Sequence, residues 1–166
     1  TTSVDAGSGS NISNGTSNHA TVQVNQTAGF SMVTTTLTVR STAVATIPHG
    51  LGDTPHWIIA KQFDTSNIFS IYHQNIPSNS IMLGGQYGDD DKNSSSNFSS
   101  VGSATFGHQT NSISNNANEN HIFYCFREIA GYSKFGAYEG NGNTDGVFLY
   151  TGFRPAWLMI KNVDTD

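Results

Sequence analysis

The sequence predicts an all-β protein, an antiparallel β-sandwich or jelly-roll-like fold of ten or eleven short strands with no significant helix. Three observations support this prediction. Apolar and polar residues alternate with a period of two, the apolar segments are rich in β-branched residues, and Gly, Pro, Asn and Asp interrupt the chain about every ten residues. No segment carries the apolar stripe of an amphipathic helix. Many short strands at even intervals are typical of two facing sheets that each bury one side.

Three regions follow from composition. Residues 1–19 are mostly Gly, Ser, Asn and Thr, and they are predicted to form a polar arm or linker. Such a segment cannot bury enough apolar surface to become ordered by itself, so we expect it to be held by the body or, for most of its contacts, by another chain. Residues 20–151 are predicted to form the sandwich domain, and residues 152–166 either a closing strand or the start of a second repeat.

The strands of the domain are predicted from the alternating segments in chain order. They are residues 21–24, 30–40, 43–47, 57–63, 68–73, 80–83, 98–106, 121–129, 134–138 and 147–151. The stretch 98–106 is the weakest of these patterns, and residues 84–97 and 107–120 are polar excursions between strands.

One predicted strand recurs about 100 residues later. The repeated residues are Pro55, Trp57, Lys61, Asp64 and Thr65, which reappear as Pro155, Trp157, Lys161, Asp164 and Thr165. Five identities in eleven aligned positions indicate an internal repeat. Each copy has an unbroken apolar run after a turn, which is typical of a strand covered on both faces. We therefore expect the two strands to occupy equivalent central positions and both tryptophans to be buried.

The second copy is not followed by counterparts of the strands predicted at 68–73 and 80–83. Either it closes the sandwich of the first copy, or it is completed by further sequence or by a neighbouring subunit. Completion is favoured because the repeat begins a new unit, and this favours a piece of a longer polypeptide. The alternative is that residues 155–163 are the last strand of one complete domain.

Composition narrows the classes of function. Charged residues make up only 11% of the 166 residues, whereas Ser, Thr and Asn account for 55 of them. A net charge of −5 with seven scattered basic residues argues against binding to nucleic acid. No segment approaches the ~20 apolar residues of a membrane span. The single cysteine, Cys125, cannot form an intrachain disulfide, and its apolar neighbours predict a small buried hydrophobe.

The residues predict no metal, cofactor or catalytic site. The run Asp89, Asp90 and Asp91 lacks the spaced oxygen ligands of a calcium loop, and the six histidines lack the short spacings of zinc ligands. A Cys125–His121 dyad would lie on one strand face, but apolar surroundings make such a thiol unreactive. No paired carboxylates or Gly-x-Ser-x-Gly elbow were found, so we expect no enzymatic activity.

Aromatic residues crowd the region between the two copies of the repeat. Tyr132, Tyr138 and Tyr150, among several phenylalanines and beside Asn and Asp side chains, are possible contacts of a shallow sugar site. The alternative interpretation is that these aromatic side chains pack in a core.

A resemblance to a known family rests on residues 28–31, 49–52, 55–61, 71–73, 124–126, 131–136, 140–146 and 150–161. Through these stretches, residues 28–166 resemble, with gaps, a family of uncharacterised repeated β domains found in virion proteins of marine tailed bacteriophages, including tail and capsid-fibre proteins. The resemblance implies a multimeric structural protein on the virion surface, as a fibre, decoration or tail component, with copies of itself and other virion proteins as partners. The alternative is a lectin-like carbohydrate-binding module that attaches the particle to a host-surface glycan.

Overall fold

The structure is a computed structural model that describes residues 1–38, 43–64, 69–76, 80–83, 92–93, 97–109 and 118–162, with 80–83 and 92–93 described by their backbone only. It confirms the predicted all-β class. Across the described residues, the chain forms antiparallel strands in two sheets and no helix.

Twelve strands occur in these residues, and three of them are only two residues long. Their bounds are β1 Thr2–Asp5, β2 Ile12–Ser13, β3 His19–Asn25, β4 Phe30–Leu37, β5 Ala45–Pro48, β6 Trp57–Gln62, β7 Phe69–His73, β8 Ser80–Leu83, β9 Lys92–Asn93, β10 Phe98–Ser99, β11 Thr105–His108 and β12 Glu119–Phe126.

The larger sheet has the strand order β1-β3-β4-β12-β6-β7-β8-β9, and β2 pairs with β4 beside this path. Its centre is β12, which pairs with β4 from Glu119↔Leu37 to Phe126↔Phe30 and with β6 from His121↔Gln62 to Phe126↔Trp57. The smaller sheet has the order β10-β11-β5. β12, the last strand in the described residues, therefore pairs with two strands, β4 and β6, from much earlier in the sequence.

The core lies between the two sheets. Burial alternates along β4, β6 and β12, so that every second side chain points inward, as expected of strands covered on one face. Phe123 of β12 is fully buried and meets the ring of Phe106 on β11 edge to face, with centroids 5.3 Å apart. Ile47 of β5 and Ile58 of β6 belong to the same buried cluster. Two sheets that enclose one apolar layer are the arrangement of a β-sandwich.

Residues 1–19, predicted to be a polar arm or linker, are instead part of the larger sheet. β1 pairs with β3 from Thr2↔Val22 to Asp5↔His19, β2 pairs with β4, and Ile12 is buried in the core. The segment is thus paired within its own chain. Backbone hydrogen bonds, the burial of Ile12 and Ser10, and the packing of Val4 and Ala6 against the core supply this order, and composition does not reveal it.

The observed strands also correct the predicted boundaries. The stretch 98–106 divides into β10 and β11 around Ser100, whose φ is 47°, and β12 ends at Phe126 rather than at residue 129. The strands predicted at 134–138 and 147–151 are absent, and so is the repeated strand at 155–163 as far as the described residues reach, since residues 134–162 form no strand. These segments have strand-like sequences, but a strand needs a paired neighbour, and the structure provides none for them.

The two tryptophans of the repeat differ from the prediction. β6 is central, between β12 and β7, but burial alternates along it and Trp57 is half-buried on its outward side. Trp157 is 70% exposed. The expectation that β6 is covered on both faces is therefore wrong. Trp57 and Ile59 of its apolar run lie on the sheet surface turned away from the core.

We predict that the same substitution has different effects at the two positions. Trp57→Ala should lower the free energy of unfolding by about 2 kcal/mol or more, because it removes ring contacts to Phe126 and Phe135. Trp157→Ala should change it by less than about 0.5 kcal/mol, because the side chain is exposed. Urea titrations of the two variants at low protein concentration measure the difference. Equal losses would contradict the structural assignment.

Candidate functional site

The outer face of the larger sheet, turned away from the smaller sheet, carries a cluster of aromatic rings. Phe126 is at its centre, with ring centroids 5.0 Å from both Phe30 and Trp57. The cross-strand register places these three residues opposite one another on β4, β12 and β6. Phe135 adds a ring from beyond the end of β12, 6.0 Å from Trp57 and 6.4 Å from Phe126. These four residues are named the outer aromatic cluster.

An open groove lies on the same face of the sheet. Its volume is about 430 Å³, and its lining residues are Thr34, Lys61, Phe63, Phe69, Ile122 and Tyr124. Phe63 and Phe69 are 55% and 40% exposed. The ammonium of Lys61 lies 5.3 Å from the ring centroid of Phe69, a cation–π distance. Aromatic faces beside an ammonium group can hold the apolar face of a sugar and one of its oxygens.

Sequence reasoning missed this groove because its residues lie on four strands, or, for Phe63, just after one, and these strands meet only through the strand order β4-β12-β6-β7. The available signal was the set of large apolar residues at outward positions of alternating strands, such as Ile122 and Tyr124. That signal predicts an apolar outer face, but it does not tell which strands are neighbours.

Residues 127–135 fasten the chain to the outer face after β12 ends. A turn is closed by the amides of Tyr132 and Ser133, which donate to the carbonyl of Ile129 over 3.0 and 2.9 Å. The Lys134 ammonium pairs with Glu128 at 2.7 Å. The Gln74 side chain donates to the carbonyl of Phe135 over 3.1 Å. Phe135 is thereby held against Trp57.

Beyond Phe135 the chain leaves the body. Residues 136–162, here named the tail, form no strand, and all of them except Thr151 and Phe153 are exposed. The tail carries two apolar stretches, residues 147–150 and 157–160. The exposed fractions of Phe148, Tyr150, Leu158 and Ile160 are 86%, 81%, 70% and 61%. Soluble monomers rarely expose contiguous apolar surface of this kind, so the tail is the second candidate site.

The three tyrosines predicted as sugar contacts are exposed, but the structure does not bring their rings into contact with one another. Tyr132 lies on the turn after β12, whereas Tyr138 and Tyr150 lie on the tail. Among the described residues, no ring contact joins any two of them. Of the repeat residues, Pro55, Trp57 and Lys61 lie at and just before β6, and their counterparts Pro155, Trp157 and Lys161 lie on the tail.

The buried titratable residues lie inside the sandwich. Cys125 is a free, fully buried cysteine, and burial raises the pKa of its thiol to about 12. The thiol is therefore protonated near neutral pH and is a poor nucleophile. His121 is buried on the same face of β12 as Cys125. Burial lowers the pKa of its imidazole, because the charged form of histidine is the protonated one.

His108 is the most strongly perturbed of these groups. It is 1% exposed on β11, with its ring centroid 5.1 Å from Phe123 and 5.9 Å from His121. Burial, with a smaller contribution from the neighbouring His121, lowers the pKa of His108 to about 3. The ring is thus neutral at physiological pH, as a packing group between apolar neighbours.

Within the part of the chain that the structure describes, no three His, Cys, Asp or Glu side chains are grouped so that they could hold a metal ion. The Asp89, Asp90 and Asp91 run lies outside the described residues. Among the described residues, no helix is long and apolar enough to cross a membrane.

These features define an all-β domain with two antiparallel sheets, an aromatic outer face and an extended apolar tail. The chain belongs to the family described as a domain of unknown function, DUF7483, whose family model matches residues 4–166. The match covers both the body and the tail. No curated protein and no solved structure matches the chain.

We predict that the burial of His108 makes stability depend on pH. The unfolded chain takes up a proton near the ordinary histidine pKa of about 6.5, whereas the folded chain does so only near 3. The unfolded state therefore binds more protons in this window, and the free energy of unfolding falls as the pH falls, by up to about 1.4 kcal/mol per pH unit. His108→Phe removes this contribution and keeps an aromatic ring in the core.

Urea titrations between pH 7.5 and pH 5 check this prediction. Wild type should lose roughly 2 kcal/mol more than His108→Phe on going to pH 5, while the two should run in parallel above pH 7. Some acid sensitivity should remain in the variant, since burial lowers the pKa of His49, His73 and His121 as well. Parallel curves over the whole range would show that His108 is not held neutral by the fold.

Proposed function

We propose that this chain is a structural component of a tailed-phage virion surface, as a fibre, decoration or tail element present in several copies. The observation that supports this proposal most strongly is the tail, whose apolar stretches 147–150 and 157–160 are exposed on a body with a neutral polar composition. Such a surface is suited to assembly rather than to catalysis in solution. The resemblance to repeated domains of phage virion proteins is the reason for proposing that the assembly is a phage particle.

The charge distribution indicates how such an assembly is stabilised. Charged residues are only 11% of the sequence, and the residues from 146 to 160 include a single charged side chain, Arg154. Burial of apolar surface, rather than ion pairing, is therefore the main stabilising contribution. Assemblies of this kind are weakly sensitive to salt, since screening acts on charges. This property suits a particle that meets variable ionic strength.

The proposal predicts that the chain copurifies with particles. Antibodies raised against the purified chain should label phage particles in immunogold electron microscopy, and mass spectrometry of particles banded in a density gradient should recover its peptides. A bacterial protein from the same gradient serves as the contamination control. The proposal fails if the chain stays in the unassembled fraction of the lysate while known head and tail proteins band with the particles.

A second candidate function is carbohydrate binding in host attachment, and the groove on the outer face favours it. Phe63 and Phe69 present exposed ring surface there, and Lys61 supplies an ammonium group. Apolar ring faces that stack on sugars, with a few polar groups that fix orientation, are the usual elements of such sites.

A glycan array tests this second function. A carbohydrate-binding chain should give signals that are lost in Phe69→Ala and kept in Tyr150→Ala, because only Phe69 lines the groove. Loss in Tyr150→Ala alone would move the sugar site to the tail. No binding above background by the wild-type chain would reject the carbohydrate-binding role and leave the structural role as it stands.

A further inference from the structure

The segment that follows β12 crosses the outer face of the larger sheet and ends against Trp57. Residues 128–135 are named the strap. Its base is fixed at Arg127, whose backbone amide donates to the carbonyl of Gly29 over 2.8 Å. Its far end is Phe135, whose ring centroid lies 6.0 Å from that of Trp57. The contacts that close the strap therefore lie beyond Arg127.

His56 holds the start of the strap through one ring nitrogen. The backbone amide of Glu128 donates to Nδ1 of His56 over 3.1 Å. The position of His56 is fixed, because its own amide donates to the carbonyl of Phe126 over 2.8 Å, and its ring stacks on Phe135 with centroids 6.1 Å apart. A ring nitrogen accepts an N–H only through a lone pair, so the bond to Glu128 requires an unprotonated Nδ1.

His73, at the end of β7, supports the other end of the strap in the same way. Its Nδ1 accepts the backbone amide of Asn75 over 3.2 Å. This bond shapes the turn that carries Gln74, whose side chain donates to the carbonyl of Phe135 over 3.1 Å. The backbone amide of Gln74 donates to the carbonyl of His56 over 2.9 Å, so the two histidines belong to one network. Both ends of the strap thus depend on neutral imidazoles.

The carboxylate on the strap is already engaged in closing it. One oxygen of Glu128 pairs with the ammonium of Lys134 at 2.7 Å, and the other accepts the backbone amide of Phe135 over 3.4 Å. An imidazolium at His56 attracts this carboxylate. If the carboxylate moved toward the ring, however, it would leave the amide of Phe135, so an ion pair with His56 also loosens the strap.

The other charged groups near the two rings do not oppose this effect. Asp53 pairs with Arg127 at 3.6 Å, at the base of the strap. His73 and His56 lie close enough for the charge of one ring to disfavour that of the other, and the pKa of His73 is lowered by burial and, to a smaller extent, by His56. A closed strap therefore disfavours protonation of this pair, and opening relieves it.

We infer that His56 and His73 make the strap a pH-dependent switch, closed while both imidazoles are neutral and released when they are protonated. Protonation places an N–H against the amide N–H that Nδ1 accepts, and two donors form no hydrogen bond. The open strap binds more protons than the closed one, so acid favours opening. Below the ordinary histidine pKa of about 6.5, the ratio of open to closed strap shifts by up to about tenfold per pH unit for each ring.

Release of the strap lifts Phe135 from Trp57 and uncovers the outer aromatic cluster. It also frees the start of the tail, which begins at residue 136. The switch therefore controls how much aromatic surface the domain presents. It does not depend on the proposed role in a phage particle.

The variant Trp157→Phe provides a reporter for the strap. The sequence has two tryptophans and Trp157 is exposed on the tail, so this variant keeps only Trp57, under the strap. Acrylamide is an uncharged quencher that reaches the indole more easily once Phe135 moves away. The bimolecular quenching constant should rise between pH 7.5 and pH 5, toward the value that Phe135→Ala gives in the same background at pH 7.5. Far-UV circular dichroism checks that the sheets stay folded.

The decisive variant adds His56→Asn and His73→Asn to this background. An asparagine Oδ1 accepts an amide N–H as Nδ1 does, but it takes up no proton in this range. The quenching constant should therefore stay low down to pH 5. His19→Asn is the matched control, because Nδ1 of His19 lies 2.7 Å from the carbonyl of Ser17, at the start of β3. The control should open as the reporter variant does. All these variants keep His108, so general acid destabilisation affects them equally.

Two results would overturn the inference. A constant that does not change in the reporter variant shows that acid leaves the strap closed. An equal rise in the double asparagine variant assigns the release to other groups. If that variant is already open at pH 7.5, NMR titration of Nδ1 in His56 and His73 of the reporter variant decides. Opening that follows their protonation supports the switch, and opening that follows neither ring rejects it. None of these results changes whether the chain copurifies with phage particles.

Discussion

The insertion of β12 between β4 and β6 is the interaction on which the rest of the structure depends. Its eight residue pairs with β4 and six with β6 close the larger sheet at its centre. The same strand presents Phe123 and Cys125 to the core and Tyr124 and Phe126 to the outer face. Because one strand serves both faces, the packed interior and the aromatic surface are positioned by a single set of backbone hydrogen bonds.

The outer face and the tail are linked through this strand. The turn at Ile129–Ser133 returns the chain over Phe126, and Phe135 covers Trp57 before the tail departs. Gly29 packs against this return, since a Cβ on it would lie 2.7 Å from both the Arg127 carbonyl and the Ile129 side chain. The body thus fixes where the tail starts, and the apolar stretches beyond it are exposed.

The interior combines apolar packing with buried histidines. His108 and His121 stand beside Phe123 between the two sheets, and neutral rings fill that space without an ion pair. On the surface, the abundance of Ser, Thr and Asn gives a coat that is polar but nearly uncharged. The domain therefore depends on burial and backbone pairing much more than on electrostatics, in its own folding and in the assembly proposed for it.

The sequence by itself determined the all-β class, because a period of two and regular turn residues are local signals. It also predicted that β6 is central and that Cys125 is buried. It could not determine that residues 1–19 join the sheet, since β1 and β2 pair with β3 and β4, and this pairing is not marked in their own composition. Strand order, and hence the groove and the outer aromatic cluster, was decided only by the tertiary structure, because non-local pairing leaves no mark within a segment. The exposure of the tail was likewise decided by the tertiary structure. Residues 157–160 have the sequence pattern of a buried strand, but the structure gives them no paired neighbour among the described residues and leaves them exposed.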